Sequence, residues 1–315
     1  MIKKLLVFFL LVSSIISAQQ KYAKQISVIS ENDLYTSTYN DRYYTNGFFV
    51  SYTYLAKSNP NLEKKIFKWE IGHQMYTPSK SIVLDINGHD RPFAAFFYGD
   101  FEIKKVFKNE SIFTTNFQLG VIGPTAFGNE LQNFIHKIYG FPEAIGWKYQ
   151  IKNAIGLNLG LAYQKKIFRT SANFLDFTWV NAGNAGTIKT DITTGFLSRI
   201  GFKPLQSLAN SIAFGTNVND NTTRFFNTVE SFIFIKPTVR YAIYDATIQG
   251  SFLNKNSLVT KELIPFVFNF EIGLLFTINR FNLGYTFNYN TNKLDNLEFN
   301  NGHTYGAIQL HYLLN

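Results

Sequence analysis

Two polar side chains, Gln132 and His136, lie four residues apart in residues 123–147, the one long stretch that interrupts a chain of alternating, strand-like segments. On a helix this spacing places both side chains on the same face. An imidazole takes up a proton near neutral pH, so such a histidine is a candidate general base for hydrolysis. A lone histidine more often has a structural role, and its function therefore depends on what surrounds it.

The residues that flank this pair predict a helix of about three turns over residues 130–139. Asn129 is a good N-cap, because its side chain can accept a hydrogen bond from the first turn. Gly140, followed by Pro142, ends the element, since glycine adopts the left-handed conformation that closes many helices and proline cannot continue one. The insert is thus expected to be a short, well-delimited helix inside a loop.

The predicted helix has two different faces. Leu131, Ile135 and Ile138 follow helical spacing, and we expect them to pack against a neighbouring element. Gln132 and His136 project together from an adjoining face. The sequence therefore predicts an apolar buried face and a separate polar face that carries the candidate base.

The composition indicates what holds this helix. Aromatic residues make up 17% of the chain, with 33 Phe and 18 Tyr, yet the mean hydropathy is only −0.06. Beyond the N-terminal segment there is no run of 18 apolar residues, which disfavours spanning helices. High aromatic content without such runs favours strands with one apolar face, as in a membrane barrel.

The first residues predict export. Lys3 and Lys4 are followed by an apolar run of about a dozen residues and then by small residues up to Ala18, the pattern of a secretory signal peptide. We therefore expect a signal peptide over residues 1–18 and a single outer-membrane barrel domain over 19–315. The chain contains no cysteine, which excludes a disulfide scaffold and a lipid-anchored N-terminal cysteine.

The charge predicts an anionic partner. The net charge of +9 becomes +7 when the two lysines of the signal peptide are removed. A basic surface on an exported chain suits the phosphorylated lipids of an outer leaflet, and we do not expect a nucleic acid partner.

About twelve strands are predicted from period-two alternation and turn residues. They cover residues 24–33, 43–56, 66–76, 93–107, 111–122, 152–169, 171–180, 188–202, 230–244, 263–278, 281–289 and 303–314. The segment QKKIFRTS is read as a bend, residues 204–224 as a polar loop that ends in a disordered run, and residues 245–261 are left unassigned. Tight turns are expected at the periplasmic side and long connections at the other.

These features predict an all-β fold, a transmembrane antiparallel β-barrel of about 12 strands with a short helix in an extracellular loop. Closure removes the edge strands that would make so aromatic a chain aggregate. A soluble β-sandwich or propeller is the alternative fold.

Four motifs resemble one family. They are ENDLYTSTYNDRYYTNG (residues 31–47), MYTPS (75–79), DRPFAAF (90–96) and GVIGPTAFGNELQNFIHKIYGFPEAIGWKYQIKN (120–153). Together, and in this order, they resemble the LpxR family of outer-membrane lipid A deacylases, which remove an acyl group from the 3′ position of lipid A. The resemblance runs from about residue 26 to residue 155 and is weak afterwards.

The resemblance implies a twelve-stranded barrel with its active site near the outer rim, between the wall and the loop helix, and with a bound calcium ion. By motif, the site residues are Asn32, Asp33, Thr45, Gln132, His136 and Glu143. At the acidic position after the helix the chain departs from the family pattern, because Pro142 stands there and the glutamate follows one residue later. The assignment of Glu143 rests on this shifted alignment.

The implied chemistry agrees with the residue types. Ester hydrolysis needs a base for water, which His136 supplies, and a positive centre for the developing oxyanion. Calcium prefers oxygen ligands, so Asp33 and Asn32 are suitable metal ligands. No G-x-S-x-G motif is present, and direct attack by water is simpler than an acyl-enzyme.

The remaining assignments leave alternatives open. Lys80 and Arg91 are candidate contacts to lipid phosphate, although ordinary surface solvation explains them equally well. The leading hypothesis is a monomeric, calcium-dependent lipid A deacylase in the outer membrane that acts on lipopolysaccharide. A non-catalytic barrel, porin-like or structural, with a decayed site is the main rival, and a phospholipase of similar ester chemistry is another.

Overall fold

A computed structural model describes residues 22–36, 42–57, 60–220 and 229–315 of the protein. The predicted signal peptide lies outside these ranges, as do residues 221–224 of the predicted disordered run. Within the described ranges, twelve antiparallel strands close into a barrel in sequence order, with β1 paired to both β2 and β12. The fold class predicted from the sequence is confirmed.

The secondary structure consists of β1 (Lys24–Asn32), β2 (Tyr43–Ala56), β3 (Leu62–Thr77), β4 (Ala94–Phe107), β5 (Ser111–Ile122), α1 (Gly128–Tyr139), β6 (Ala154–Arg169), β7 (Leu175–Gly186), β8 (Lys189–Gly201), β9 (Ser231–Asp245), α2 (Ala246–Gln249), β10 (Phe266–Ile278), β11 (Phe281–Asn290) and β12 (His303–Leu314). Short 3-10 turns lie in the connections. No helix of the described residues is long and apolar enough to cross a membrane.

Alternate residues of each strand face the lumen and the outside. On β2, Phe49 and Ser51 point inward and are buried, whereas Phe48 and Val50 point outward and are exposed. The same alternation runs around the barrel and gives an apolar outer surface, as a bilayer requires. The lumen, in contrast, carries charged pairs such as Lys236 and Glu271, whose Nζ and Oε1 atoms are 2.9 Å apart.

The barrel has two distinct ends. The termini end carries Lys24 at the start of β1 and Leu314 at the end of β12, which pair with each other. The helix end carries α1, which follows β5. Tight connections were expected at the termini end and long ones at the helix end. That expectation is wrong for two connections: β7 and β8 are joined at the helix end by residues 187–188, and the long segment between β8 and β9 lies at the termini end.

Residues 202–220, which we call the plug, occupy the lumen at the termini end. Leu205, Leu208 and Phe214 enter the barrel and form an apolar core with inward-facing residues of the wall such as Ile112 and Phe232. The sequence suggested a polar loop here, because asparagines and threonines surround these apolar residues. The polar groups are used inside the barrel as hydrogen-bond partners, so the segment folds instead of remaining a solvated loop.

A buried arginine fastens the plug to the wall. Arg199 on β8 is fully buried, and its guanidinium donates to Asp176 Oδ1 at 3.0 Å and Oδ2 at 2.5 Å. It also donates to Glu230 Oε1 at 3.1 Å, to Ser211 Oγ at 2.5 Å and to the Gln206 carbonyl at 3.1 Å. Such charge-assisted hydrogen bonds are strong, and these five hold one guanidinium in a place away from water.

One further expectation needs correction, and the segment left unassigned begins with regular structure. The bend between β6 and β7 comprises residues 170–174, where Asn173 has φ 61°, while most of QKKIFRTS belongs to β6. Because asparagine tolerates the left-handed conformation, the turn forms there and not earlier. The unassigned segment 245–261 begins with the short helix α2, whose N-terminus is capped by the side chain of Asp245.

We expect Arg199→Met to lower the free energy of unfolding by about 3 to 5 kcal/mol, because Glu230 loses its cation while it remains buried. Urea unfolding in detergent micelles, followed by tryptophan fluorescence, measures the change. The control is Lys80→Met, which removes an exposed pair, Lys80 Nζ to Glu298 Oε1 at 3.0 Å, worth at most about 1 kcal/mol. Equal losses for both variants would contradict the anchoring role of Arg199.

Candidate functional site

Helix α1 begins two residues earlier than the sequence indicated. It spans Gly128–Tyr139, and Phe127 stands at the N-cap position with φ 58° and without a side-chain cap. The predicted cap, Asn129, is the second helical residue, and its Oδ1 accepts a hydrogen bond from Asn133 at 3.0 Å. At the other end Gly140 adopts the left-handed conformation, with φ 74°, which confirms the predicted helix end.

The buried face of α1 is the polar one. Gln132 and His136 are buried, whereas Phe134 is 61% and Ile138 is 65% exposed. Of the residues expected to pack inward, Leu131 and Ile135 are half-buried and Ile138 is not buried at all. The expectation holds for Leu131, which packs against the buried cluster around Trp147, and is wrong for Ile138. The reason is the surroundings: the two buried polar side chains find hydrogen-bond partners, Trp147 and the Pro142 carbonyl, in the segment that follows the helix.

A close seat holds α1 against the wall. A Cβ atom at Gly128 would lie 2.4 Å from the Trp147 ring and 2.5 Å from the Cβ of Ala95 on β4. Trp147 and Ala95 belong to a buried cluster with Met75, Phe93, Ala126 and Ala144. Glycine at the first position of α1 thus allows the helix to approach the strand more closely than any other residue would.

The two polar side chains of α1 are fixed from the segment that follows the helix. Gln132 Oε1 accepts the indole N–H of Trp147 at 2.7 Å. His136 Nδ1 lies 2.5 Å from the carbonyl oxygen of Pro142. Because a carbonyl only accepts, Nδ1 carries the proton and Nε2 is the basic nitrogen of the ring. The tautomer is the one that a general base needs if it acts through Nε2.

The residues predicted on the wall lie at the helix end of β1 and β2. The Asn32 amide donates to Asn46 Oδ1 at 2.6 Å, and its own Oδ1 accepts the backbone N–H of Leu34 at 2.7 Å. Asp33 follows immediately, is fully buried, and accepts the backbone N–H of Arg42 at 2.7 Å through Oδ2. These bonds hold the Asn-Asp pair in one orientation at the rim.

Thr45 lies at a β-bulge between β2 and β3. Tyr44 pairs with Tyr76 and Asn46 pairs with Met75, so the threonine between them is the extra residue. It is fully buried, and its hydroxyl oxygen is 2.6 Å from that of Thr77. A bulge re-aims side chains locally and is common next to functional sites.

Strand register brings the two groups of residues to one patch of the outer wall. Asn32 pairs with Asn46, Asn46 with Met75, and Met75 with Ala95, which forms a row across β1 to β4. Met75 and Ala95 lie beneath Trp147, which binds Gln132. We call Asn32, Asp33, Thr45, Gln132 and His136 the outer-wall site.

Three predicted residues lie elsewhere. Glu143 is exposed, so the shifted glutamate does not enter the buried part of the site. Lys80 is 65% exposed and pairs with Glu298 in the loop between β11 and β12. Arg91 is buried and donates to the Tyr43 carbonyl and to Thr247, and burial lowers its pKa below the ordinary arginine value. Arg91 therefore joins the loop between β3 and β4 to β2 and α2, and Lys80 remains accessible.

Sequence reasoning did not identify three contributors to this site. Asn46 orients Asn32, Trp147 holds Gln132, and the backbone carbonyl of Pro142 orients His136. The motif of residues 120–153 contains Trp147, so the family resemblance gave a signal for the tryptophan. The carbonyl of Pro142 gave none, because a backbone oxygen is present at every residue.

The fold and the site define a class: a closed, apolar-surfaced barrel of the transmembrane type, with a polar site on its outer wall beneath a loop helix. A family model described as outer membrane protein LpxR matches residues 5–314. The chain belongs to the LpxR family, and it is an outer-membrane β-barrel. A comparison with curated protein sequences gives no match.

The solved structures that are similar to this chain include one of an LpxR protein. LpxR from Salmonella typhimurium is 18% identical, with a TM-score of 0.73, over 92% of this chain and 100% of that chain. The KdgM porin in complex with oligogalacturonate has 6% identity and a TM-score of 0.40, over 92% of this chain and 99% of its own. The β domain of the Bordetella autotransporter BrkA has 6% identity and a TM-score of 0.40, over 93% of this chain and 99% of its own.

We expect Gly128→Val to unseat α1 without unfolding the barrel, because the new side chain overlaps Trp147 and Ala95. Limited proteolysis should then cut within residues 123–153, and tryptophan emission should move to longer wavelength. The matched control is Glu130→Val, the same new side chain at an exposed position of α1. Resistance of Gly128→Val equal to that of the control would show that the close seat is not needed.

Proposed function

We propose that this protein is an outer-membrane esterase that removes the 3′-linked acyl group from lipid A. Membership in the LpxR family supports the proposal. The observation that carries it is the burial of His136 against the outer wall, with Nδ1 fixed by the Pro142 carbonyl and the Asn32–Asp33 pair on the same patch of wall. A base beside a lipid-facing surface suits hydrolysis of a lipid ester.

In the proposed reaction, Nε2 of His136 takes a proton from water as the water oxygen attacks the ester carbonyl carbon. The tetrahedral intermediate then expels the sugar oxygen, which takes the proton back from His136. The products are a free fatty acid and a lipid A hydroxyl group. Gln132, held by Trp147, keeps the wall-facing side of α1 in place during both steps.

Access to the site supports a membrane lipid as substrate. Phe134, Ile138, Tyr139 and Phe141 are exposed on or next to α1. Exposed apolar groups of this size at the rim of a barrel suit the acyl region of the leaflet, where amphipathic and aromatic side chains anchor. A lipid already in the leaflet reaches the outer wall laterally and need not pass through the lumen.

The plug argues against the porin-like alternative. Leu205, Leu208 and Phe214 pack inside the barrel, and Lys64 Nζ donates to Asn210 Oδ1 at 2.7 Å and to two carbonyls of the same segment. A lumen occupied by its own chain does not provide an open aqueous channel at that end. No observation favours the phospholipase over the lipid A esterase, so glycerophospholipid is included as a test substrate.

The residues of the outer-wall site fit the calcium ion that the family resemblance implies. Asp33 supplies a buried carboxylate and Asn32 an adjacent amide oxygen, both hard oxygen ligands of the kind calcium prefers. Within the described residues, however, no group of three Asp, Glu, His or Cys side chains gathers. We therefore propose that Asp33 is the charged ligand of this site, with Asn32 beside it. When bound, calcium would supply positive charge for the carbonyl oxygen of the ester.

We expect His136→Asn to lower the rate of acyl release by about a hundredfold to ten-thousandfold, the usual contribution of a general base. This corresponds to about 3 to 5 kcal/mol of transition-state stabilisation. Mass spectrometry of purified lipid A incubated with the purified protein in detergent measures the release. The matched control is His311→Asn, on β12 near the termini end, with the heat-dependent mobility of both variants as the check on folding.

Two results would contradict this proposal in different ways. Near-parental rates for folded His136→Asn would mean that the base lies elsewhere. Release of fatty acid from glycerophospholipid and not from lipid A would replace the proposed activity by that of a phospholipase.

We expect Asp33→Asn to abolish calcium binding, because the neutral amide removes the site's buried charge. Isothermal titration of the purified protein with calcium chloride measures binding directly, without reference to turnover. Asp85→Asn is the control, since Asp85 caps a 3-10 turn in an exposed part of the loop between β3 and β4. Titration heats of Asp33→Asn equal to those of the parent would place the calcium ion elsewhere or exclude it.

A further inference from the structure

The outer wall carries an apolar groove below the outer-wall site. It has a volume of about 810 Å³ and crosses β1 to β5 at the level of Gly99. Ile71 on β3 and Leu119 on β5 pair with Gly99 and form its sides. Its lining includes Trp69, Ile71, Gly99, Phe101, Phe117 and Leu119.

The groove exists because Gly99 has no side chain on the outer face. Phe97 and Phe101, two residues before and after it on β4, point outward, so Gly99 marks a gap in that row. A Cβ atom there would have just the Glu70 carbonyl oxygen near it, at 4.0 Å. At Gly120, by contrast, a Cβ atom would meet the Phe97 carbonyl oxygen at 2.2 Å. Packing within the barrel therefore does not require glycine at position 99.

Aromatic rings close the groove on the side of the termini end. The Trp69 and Phe101 rings have centroids 4.4 Å apart. Phe101 also pairs with Phe117 on the next strand, so one row of three aromatic side chains crosses β3 to β5. A chain that enters from the helix end would meet this row.

The groove and the site share strands and are separated by the length of an acyl chain. Ala95, beneath α1, precedes Gly99 by four residues and Phe101 by six on β4. At a rise of about 3.3 Å per residue, the distances along the strand are about 13 Å and about 20 Å. One leaflet has about 15 Å of hydrocarbon, half of the bilayer core. An acyl chain whose ester lies at the site therefore ends near this groove.

We infer that the groove receives the acyl chain that is to be cleaved and that the aromatic row limits its length. The inference rests on the proposed function. The hydrocarbon of the bilayer is as apolar as the groove, so little hydrophobic free energy is gained when the chain enters it. Shape is what distinguishes the two environments: the groove holds one chain in line with the site, and it selects by fit and not by polarity.

The test is Gly99→Leu, which fills the groove without a clash inside the barrel. Acyl release is compared, in mixed micelles, for lipid A carrying a long and a short 3′-linked chain. Release of the long chain should fall about tenfold to a hundredfold, since misplacing a reactant by about 1 Å has such effects, while release of the short chain stays within about twofold. Gly183→Leu on β7 is the matched control, because its Cβ would also meet open space, with the Asp191 carbonyl oxygen 3.7 Å away.

The outcomes separate the inference from the proposed function. If Gly99→Leu released the long chain and the short chain each at the rate of the parent, the groove assignment would be overturned and the proposed esterase activity would stand. Loss of both activities in folded Gly99→Leu would also overturn it, because the effect would not depend on chain length. A parent protein that releases neither chain would overturn both.

As a second variant, Phe101→Ala should increase the length of the longest acyl chain that is released. An unchanged maximum length would contradict the role of the aromatic row.

Discussion

The structure depends on one constraint: inside a bilayer every backbone N–H and C=O group must find a partner within the protein. Twelve strands meet it by closing, with β1 paired to β12 from Lys24↔Leu314 to Asn32↔Gly306. Closure imposes a strict alternation, because each residue faces either the lumen or the lipid. The outer-wall site is an exception to the apolar outer surface, because polar residues such as Asn32 and Asn46 occupy the lipid-facing side of the wall there.

Polar groups on the outer side of a barrel need a cover, since hydrocarbon satisfies none of their hydrogen bonds. Helix α1 supplies it, and this explains why its amphipathicity is the reverse of that of a helix in a water-soluble protein. Gln132 and His136 face the wall, and Phe134 and Ile138 face away from it. The close seat at Gly128 and the bonds from Trp147 and Pro142 hold this cover in place.

Much of this fold could be predicted, because alternation is a local property of the sequence. The bounds of β2, β5 and β12 agree with those predicted from residue patterns alone. The pair Gln132 and His136 was found from its helical spacing. The buried face of α1 was predicted incorrectly, because the rule that apolar residues turn inward assumes water outside. The plug was missed because partners such as Lys64 on β3 lie far from it in sequence and give no local signal.

The two halves of the barrel have different roles. Residues 31–153 contain every predicted site residue, and the motifs that resemble the LpxR family lie there as well. Strands β6 to β12 provide closure, and the segment between β8 and β9 provides the plug. Closure requires only that inward and outward residues alternate, a demand that many sequences satisfy, whereas a hydrolytic site requires particular side chains at fixed positions. A chain can therefore keep the barrel at 18% identity to its solved relative, while recognisable motifs remain where the wall meets α1.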